Sequence, residues 1–314
     1  MRNKELILHI GMHKTGSSSL QLYLRDTKDG DFEFLSWDKY GNSSNIVDCS
    51  GHTYKVYEKR LRKLLITATS KKVVLSAEHL FFIEDTDVLK NLNNILLEFF
   101  QRIKVYVYLR RQDKAALSFK QQAAKGRVKN QMPSSYLMGH ENGALPNIDE
   151  KIYRYFDYHS KLVKWVDVFG KDNVFVRVFD KDALFESDVV SDFYSWAGLN
   201  GYATRKNVNE SLCRNFSLIS HKLLDMNYPA EVIDFVRQKI HPDDVSIKPY
   251  LTTAKSFFAA FSQSNYQLTQ SGIIPFFNGF EFDDNEYSDE ANDKLTESEY
   301  DFIIESVGEF YKAL

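Results

Sequence analysis

The sequence predicts a three-layer α/β/α fold built on a central, mostly parallel sheet. Three observations carry this reading. Short apolar runs rich in β-branched and aromatic residues recur along the chain, amphipathic stretches separate them, and a tight glycine- and serine-bearing turn follows the first run. Leu6–Ile10 reads as the first buried strand, and the helix after its turn carries Leu20, Tyr23 and Leu24 on one face. Val73–Ser76 is the next strand. A helix follows with Leu89, Leu92, Leu96 and Phe99 on one face and Ile95 beside them. Val105–Leu109 is a third strand. Residues 129–150 contain Pro133, Gly139, Gly143 and Pro146 and read as a long loop. Leu162, Val166 and Phe169 mark a helix, Val174–Val178 a strand, and Val189, Phe193 and Trp196 another helix. The last helix is expected to start at Thr296, with Glu299 completing a capping box, and to run through Tyr300, Ile303, Ile304, Val307 and Phe310.

A chain of 314 residues with 43% hydrophobic and 26% charged residues has an ordinary globular composition. With only 6 prolines and no Gly/Ser-rich or Pro-rich stretch, no linker divides it. A single domain over residues 1–314 is expected, mainly helical from about residue 215 onward. The net charge of −3 argues against a nucleic-acid partner. Charge is uneven, however: residues 101–130 carry nine Lys/Arg against Asp113, and residues 281–301 carry ten Asp/Glu against Lys294. The acidic run reads as solvated surface. Two cysteines far apart in sequence, Cys49 and Cys213, make neither a disulfide framework nor a zinc site, so a reducing compartment and no metal are expected. The first apolar run is too short for a signal peptide or a membrane span, and the expectation is a cytoplasmic protein.

The informative segment is Leu6-Ile7-Leu8-His9-Ile10-Gly11-Met12-His13-Lys14-Thr15-Gly16-Ser17-Ser18-Ser19-Leu20, read as strand, tight loop and helix. Glycines let the backbone turn sharply and approach a ligand closely. The new helix offers unpaired N–H groups and its positive dipole end to an anion. Lys14 adds a charge, and Ser17, Ser18 and Ser19 add hydroxyl donors. The ATP-binding loop motif places its Lys directly after the last Gly and before Ser/Thr; here Lys14 comes two residues before Gly16.

The order Lys14-Thr15-Gly16-Ser17-Ser18-Ser19 resembles the 5'-phosphosulfate loop of sulfotransferases that use 3'-phosphoadenosine 5'-phosphosulfate (PAPS). The longer string from His9 to Gln21 is similar to bacterial members with carbohydrate-type domains. The family's second donor motif is a strand, an Arg, and a Ser eight residues on. Arg110 and Ser118, after Val105–Leu109, have that spacing, although Arg111-Gln112 stands where Asn-Pro is usual. Weaker likeness continues through Asn173–Asp180, Asp192–Leu199 and Asn207–Ser211, so that it covers residues 5–215.

The resemblance implies a fold like that of phosphate-loop NTPases and a sulfotransferase activity with PAPS as donor, adenosine 3',5'-bisphosphate as product and no metal. His13, Lys14, Thr15, Gly16, Ser17, Ser18 and Ser19 would hold the 5' end of the donor, and Arg110 with Ser118 its 3'-phosphate. Arg205 and Lys206 could close over the adenosine. Lys14 would stabilise the leaving oxygen. A general base would take the acceptor proton. Glu78 and His79, just after Val73–Ser76, stand at a strand's carboxyl end, where open α/β sheets bind ligands. Carbohydrate sulfotransferases point to Glu78, phenol- and alcohol-type enzymes of the superfamily to His79, and His13 is a third candidate. Adjacent strand residues face opposite ways, so only one of Glu78 and His79 is expected to face the donor. The acceptor is a hydroxyl, by resemblance that of a glycan or glycoconjugate; Tyr136, Met138, His140, Tyr153, Tyr155 and Phe156 read as core and loop residues or as a stacking surface for it. Oligomeric state is not legible. The alternatives are an NTP-dependent kinase, with Glu78 as a metal carboxylate, and an inactive nucleotide-binding module.

Overall fold

A computed structural model describes residues 4–49, 54–204 and 212–313. The chain opens with β1 (Glu5–His9), α1 (Ser17–Asp26), β2 (Glu33–Leu35), β3 (Val47–Asp48), β4 (Lys55–Val56) and α2 (Glu58–Leu65). It continues with β5 (Lys72–Ser76), α3 (Thr86–Leu97), β6 (Arg102–Leu109), α4 (Gln112–Ala123), α5 (Pro133–Met138) and α6 (Glu150–Phe156). Then come α7 (Tyr158–Phe169), β7 (Val174–Val178), α8 (Val189–Ala197), α9 (Arg214–Asp225), α10 (Ala230–Lys239), α11 (Leu251–Ala259), α12 (Ser262–Ser271) and α13 (Glu297–Lys312). Contacts cluster into two compact units. The first comprises Met1–Arg110, Asp157–Asn209 and Gln263–Gly279, the second Arg111–Phe156, Glu210–Ser262 and Phe280–Leu314.

The first unit is the α/β part. Its five strands run parallel in the order β2-β5-β1-β6-β7. β1 is central and lies between β5 and β6, so the segments leaving these three strands emerge side by side at their carboxyl ends. Strands covered on both faces read as near-continuous apolar runs, which is why β1, β5 and β6 were legible. On one face Ile7, Val74, Tyr106 and Tyr108 pack with Leu20 and Leu24 of α1 and with Val190, Phe193 and Tyr194 of α8. By strand alternation Val105 and Val107 point to the other face, and α3 and α7 pack against each other and against β6. The Tyr108 hydroxyl donates to Asp192 at 2.6 Å, and Asp192 also accepts from Arg177 at 2.6 Å and from the Phe185 N–H at 2.9 Å. This buried carboxylate is therefore satisfied and ties β6, β7 and α8 together.

The second unit is helical. Ile219, Leu223 and Leu224 of α9, Val232, Ile233 and Val236 of α10, and Ile303 and Val307 of α13 share one core. α13 begins as expected, with Thr296 as N-cap and Glu299 closing a capping box.

Several expectations need correction. Residues 129–150 are not all loop: Pro133 opens α5, an N-terminal position its fixed φ suits. Phe99 lies beyond the end of α3 and the fully buried ring is Phe100; Ile304 is 69% exposed, off the apolar stripe of α13. The acidic run is not merely solvated. Within the second unit Glu286 pairs with Arg111 and Lys114, and the buried Asp293 accepts from the Ala144 N–H at 3.0 Å. β2 and the antiparallel β3–β4 ribbon were missed, being three and two residues long, too short to show a period. No helix among the described residues is long and apolar enough to cross a membrane.

Candidate active site

The loop between β1 and α1 is fastened to the neighbouring strand. Ile10 N–H donates to Tyr106 O at 3.0 Å, Met12 N–H to Tyr108 O at 2.9 Å, and Tyr108 N–H to Gly11 O at 2.8 Å. Two glycines are required by geometry. At Gly11 (φ 103°) a Cβ would come within 3.3 Å of the Glu78 Cβ. At Gly16 (φ 77°) it would meet Val189 Cγ1 at 2.8 Å. Lys14 itself has a positive φ of 68°. Gly16 is the N-cap of α1 and has no side chain with which to cap it, and the first N–H groups of the helix point back toward the loop.

The hydroxyls of the loop have different duties. Thr15 is fully buried and donates to Met12 O at 2.7 Å, closing the turn. Ser17 is buried, approaches Met12 O at 3.3 Å and hydrogen-bonds Glu78. Ser18, Ser19 and Lys14 are half-buried.

β5 ends at Ser76, and Ala77 N–H donates to His9 O at 2.9 Å, which brings the end of β5 against the end of β1. Glu78 and His79 then open a 3₁₀ turn, Glu78–Phe82. The strand-alternation rule for this pair therefore does not apply. Burial raises the Glu78 pKa, opposed by the Lys14 ammonium and the Ser17 hydrogen bond. Burial lowers His79 to about 4, against a hydrogen bond with Ser44; its Nδ1 is 3.5 Å from Cys49 Sγ. His13 is 3% exposed and is held well below the usual histidine range by burial, then by His79, Lys14 and Lys161. Both rings are neutral at pH 7, 5.5 Å apart, and His13 lies 4.4 Å from the Phe82 ring, on which Tyr54 stacks at 4.7 Å.

Arg110 follows the last residue of β6. Its Nη1 donates to Lys14 O at 3.1 Å, its own carbonyl accepts from the Tyr158 hydroxyl at 2.7 Å, and the guanidinium is 5.8 Å from the Phe179 ring. The first unit thus gathers His13–Ser19, Glu78, His79 and Arg110 at three adjacent strand ends. Ser118 is half-buried on α4 in the second unit. Arg205, Lys206 and Asn207–Ser211 lie outside the described residues. Met138, His140, Tyr155 and Phe156 are buried within the second unit, whereas Tyr136 sits under Lys151 and Tyr153 stacks on Phe261. Sequence reasoning missed Phe82, Tyr54 and Tyr158. Phe82 belongs to a run, Leu80-Phe81-Phe82, with no pattern beyond core, and the contacts of Tyr54 and Tyr158 carry no local signal.

No family model matches the chain. An uncharacterised protein of Archaeoglobus fulgidus is 25% identical over 175 residues, 52% of this chain and 44% of that protein, so the chain spans less than half the length of this relative. Among solved structures, a sulfotransferase from Alicyclobacillus acidocaldarius is similar with a TM-score of 0.47 and 15% identity, over 84% of this chain and 94% of that one.

Proposed function

We propose that the chain transfers a sulfuryl group from PAPS to an acceptor hydroxyl of a glycan or glycoconjugate. One observation carries the reading: Lys14, Glu78 and Arg110 converge at three neighbouring strand ends around the N-terminus of α1, whose N-cap is a glycine. A cation, a carboxylate and a guanidinium around a helix N-terminus suit in-line transfer of an anionic group between two oxygens.

In the proposed step the acceptor oxygen attacks sulfur and the bond from sulfur to the 5'-phosphate oxygen breaks. The acceptor proton goes to the Glu78 carboxylate, and Lys14 and the α1 N–H groups stabilise the charge left on the 5'-phosphate. Adenosine 3',5'-bisphosphate and the sulfated acceptor leave. Arg110 and Ser118 are assigned to the 3'-phosphate on their eight-residue spacing, since Arg grips phosphate bidentately. Glu78 is preferred to His79 as base because it faces Lys14 and Ser17 and burial raises its pKa above the ordinary glutamate value, whereas that of His79 falls to about 4. The two free thiols fit a reducing, cytoplasmic setting.

The test is incubation with PAPS labelled in the sulfuryl group and a panel of glycans, with a chelator present. Label on a hydroxyl together with released adenosine 3',5'-bisphosphate is expected. Magnesium-dependent transfer from ATP instead, with no label moved from PAPS, would overturn the proposal in favour of a kinase.

A further inference from the structure

Beneath the loop lies a second set of polar groups, fully enclosed, that the proposed chemistry does not use. Ser76, the last residue of β5, is 0% exposed, as is His9, the last residue of β1, and Gln21 of α1 is 3% exposed. Gln21 Nε2 donates to Ser76 Oγ at 3.1 Å, and Ser76 Oγ lies 2.8 Å from His9 Nδ1. The serine oxygen accepts from Gln21, and its single hydrogen has His9 Nδ1 within reach; donated there, it puts the proton of the neutral imidazole on Nε2. Burial, which lowers His9 to about 3, keeps the ring neutral. Its Nε2 has no hydrogen-bond partner among the described residues, and the ring meets Phe193 in a T-shaped contact at 5.5 Å.

We infer that Gln21, Ser76 and His9 are positioning residues that fix the Lys14 loop relative to Glu78. Each belongs to an element the site depends on. His9 is the residue from which the loop departs, Ser76 stands two residues before Glu78, and α1 is the helix whose N-terminus faces the loop. The backbone bond from Ala77 N–H to His9 O joins the same two strands, and the Ser43 N–H donates to Ser76 O at 3.1 Å. Three elements thus meet on one hydroxyl. Removing it takes away one of the ties, beside the backbone pairing of β1 with β5, that set the distance between cation and carboxylate, without touching either. Chemistry that depends on alignment is sensitive to such a loss, since a misplacement of about 1 Å costs on the order of 100-fold in rate.

The inference rests on the proposed sulfuryl transfer, and its test separates the two. Ser76→Ala, His9→Leu and His9→Asn are compared with wild type for kcat and donor KM, for affinity towards adenosine 3',5'-bisphosphate by calorimetry, and for melting temperature. The tautomer of His9 is read from ring ¹⁵N shifts in the wild-type chain, which needs no turnover. The Asn side chain offers an acceptor where Nδ1 stands, and Leu does not. Expected are a kcat loss of about 100-fold in Ser76→Ala and His9→Leu with donor KM and bisphosphate affinity within about twofold, recovery of most of kcat in His9→Asn, and an Nε2–H tautomer. Wild-type kcat in His9→Leu, a loss that His9→Asn does not recover, a fall in kcat matched by the fall in folded fraction, or an Nδ1–H tautomer would each overturn the positioning role while leaving sulfuryl transfer standing. A wild-type chain that transfers no label fails the proposed function, and the positioning role with it, while the ¹⁵N shifts still report the hydrogen-bond chain.

Discussion

Each unit of the molecule holds a lysine withdrawn from solvent among histidines, and the two sites are built differently. In the second unit Lys120 is 2% exposed and its ammonium donates to Glu141 O at 3.0 Å and Leu145 O at 2.9 Å. His140 Nδ1 lies 2.8 Å from His221 Nδ1, and His221 Nε2 lies 3.1 Å from Lys120 O, so each imidazole is held in one neutral tautomer. These groups are spent on backbone carbonyls and on one another. In the first unit Lys14 is half-buried on a left-handed backbone and faces the Glu78 carboxylate beside the N-terminus of α1. Burial perturbs both sites: it pulls Lys120 down to about 8 and pushes Glu78 up. A perturbed pKa alone therefore does not separate chemistry from architecture; opposed charges beside a helix N-terminus do.

The sharpest way to break the comparison is to remove each lysine. Lys14→Ala is expected to leave the melting temperature near wild type and to lower turnover by about 10²–10³-fold, the cost of one transition-state contact of roughly 3–4 kcal/mol. Lys120→Met is expected to do the reverse. It strands two buried carbonyls, costs roughly 2 kcal/mol of stability, and leaves the turnover of the folded fraction near wild type. Near-normal turnover in Lys14→Ala with saturating donor would show that the two lysines do not differ as described.

Next in size is the base. Glu78→Gln keeps the reach of the side chain but takes no proton; a kcat loss of about 100-fold with donor affinity unchanged is expected, and a smaller loss for His79→Ala. The pH profile sharpens this. A base must be unprotonated, so activity falls as pH drops through its pKa. With Glu78 as base the acid limb lies above 4.5, the ordinary glutamate value, whereas His79 would put it near 4. A limb near 4 that persists in Glu78→Gln would move the base to His79. For the donor, adenosine 3',5'-bisphosphate is expected to bind better than AMP by about 2–3 kcal/mol, the penalty for leaving a guanidinium without its anion. Equal affinities by calorimetry would remove Arg110 from the 3'-phosphate.

How much of this was legible in the sequence follows from range. The strand, loop and helix around Lys14 announce themselves because glycine, lysine and serine act within one turn, and β6 with Arg110 because a buried strand reads as an apolar run. Glu78 is singled out by its place after an apolar run, but its geometry is not legible there. Whether residue 78 still belongs to the strand depends on the pairing of Ala77 with His9, a contact between distant parts of the chain. The His9–Ser76–Gln21 chain was invisible for the same reason, since its members are each unremarkable in their own segments. Arg111 and Lys114, basic residues in a basic stretch, find Glu286 far along the chain, and no local period could announce that.

The smallest expected effect bears on stability, and its sign is fixed by the direction of the Glu78 shift. A carboxyl whose folded pKa lies above its unfolded value binds a proton more tightly in the folded state. Its contribution to stability is fully present below the unfolded pKa and is lost as pH rises through the folded one. As pH rises the wild-type carboxyl ionises in a desolvated setting that Lys14 and Ser17 offset only in part. Glu78→Gln removes that penalty, so the variant is expected to melt higher than wild type at pH 8. The gain should shrink as pH falls and vanish below the ordinary glutamate range, where wild type is protonated as well. Lys120 has the opposite linkage. Its folded pKa of about 8 lies below the unfolded lysine value of 10.5, so its contribution strengthens as pH rises between the two, and Glu78→Gln leaves that trend unaltered. Melting temperatures of wild type and Glu78→Gln across pH 3–9 decide the matter. A variant that melts lower at pH 8, with a deficit that closes in acid, would mean that Glu78 stabilises the fold as an ion-pair partner of Lys14, and the comparison between a chemical and an architectural lysine would collapse.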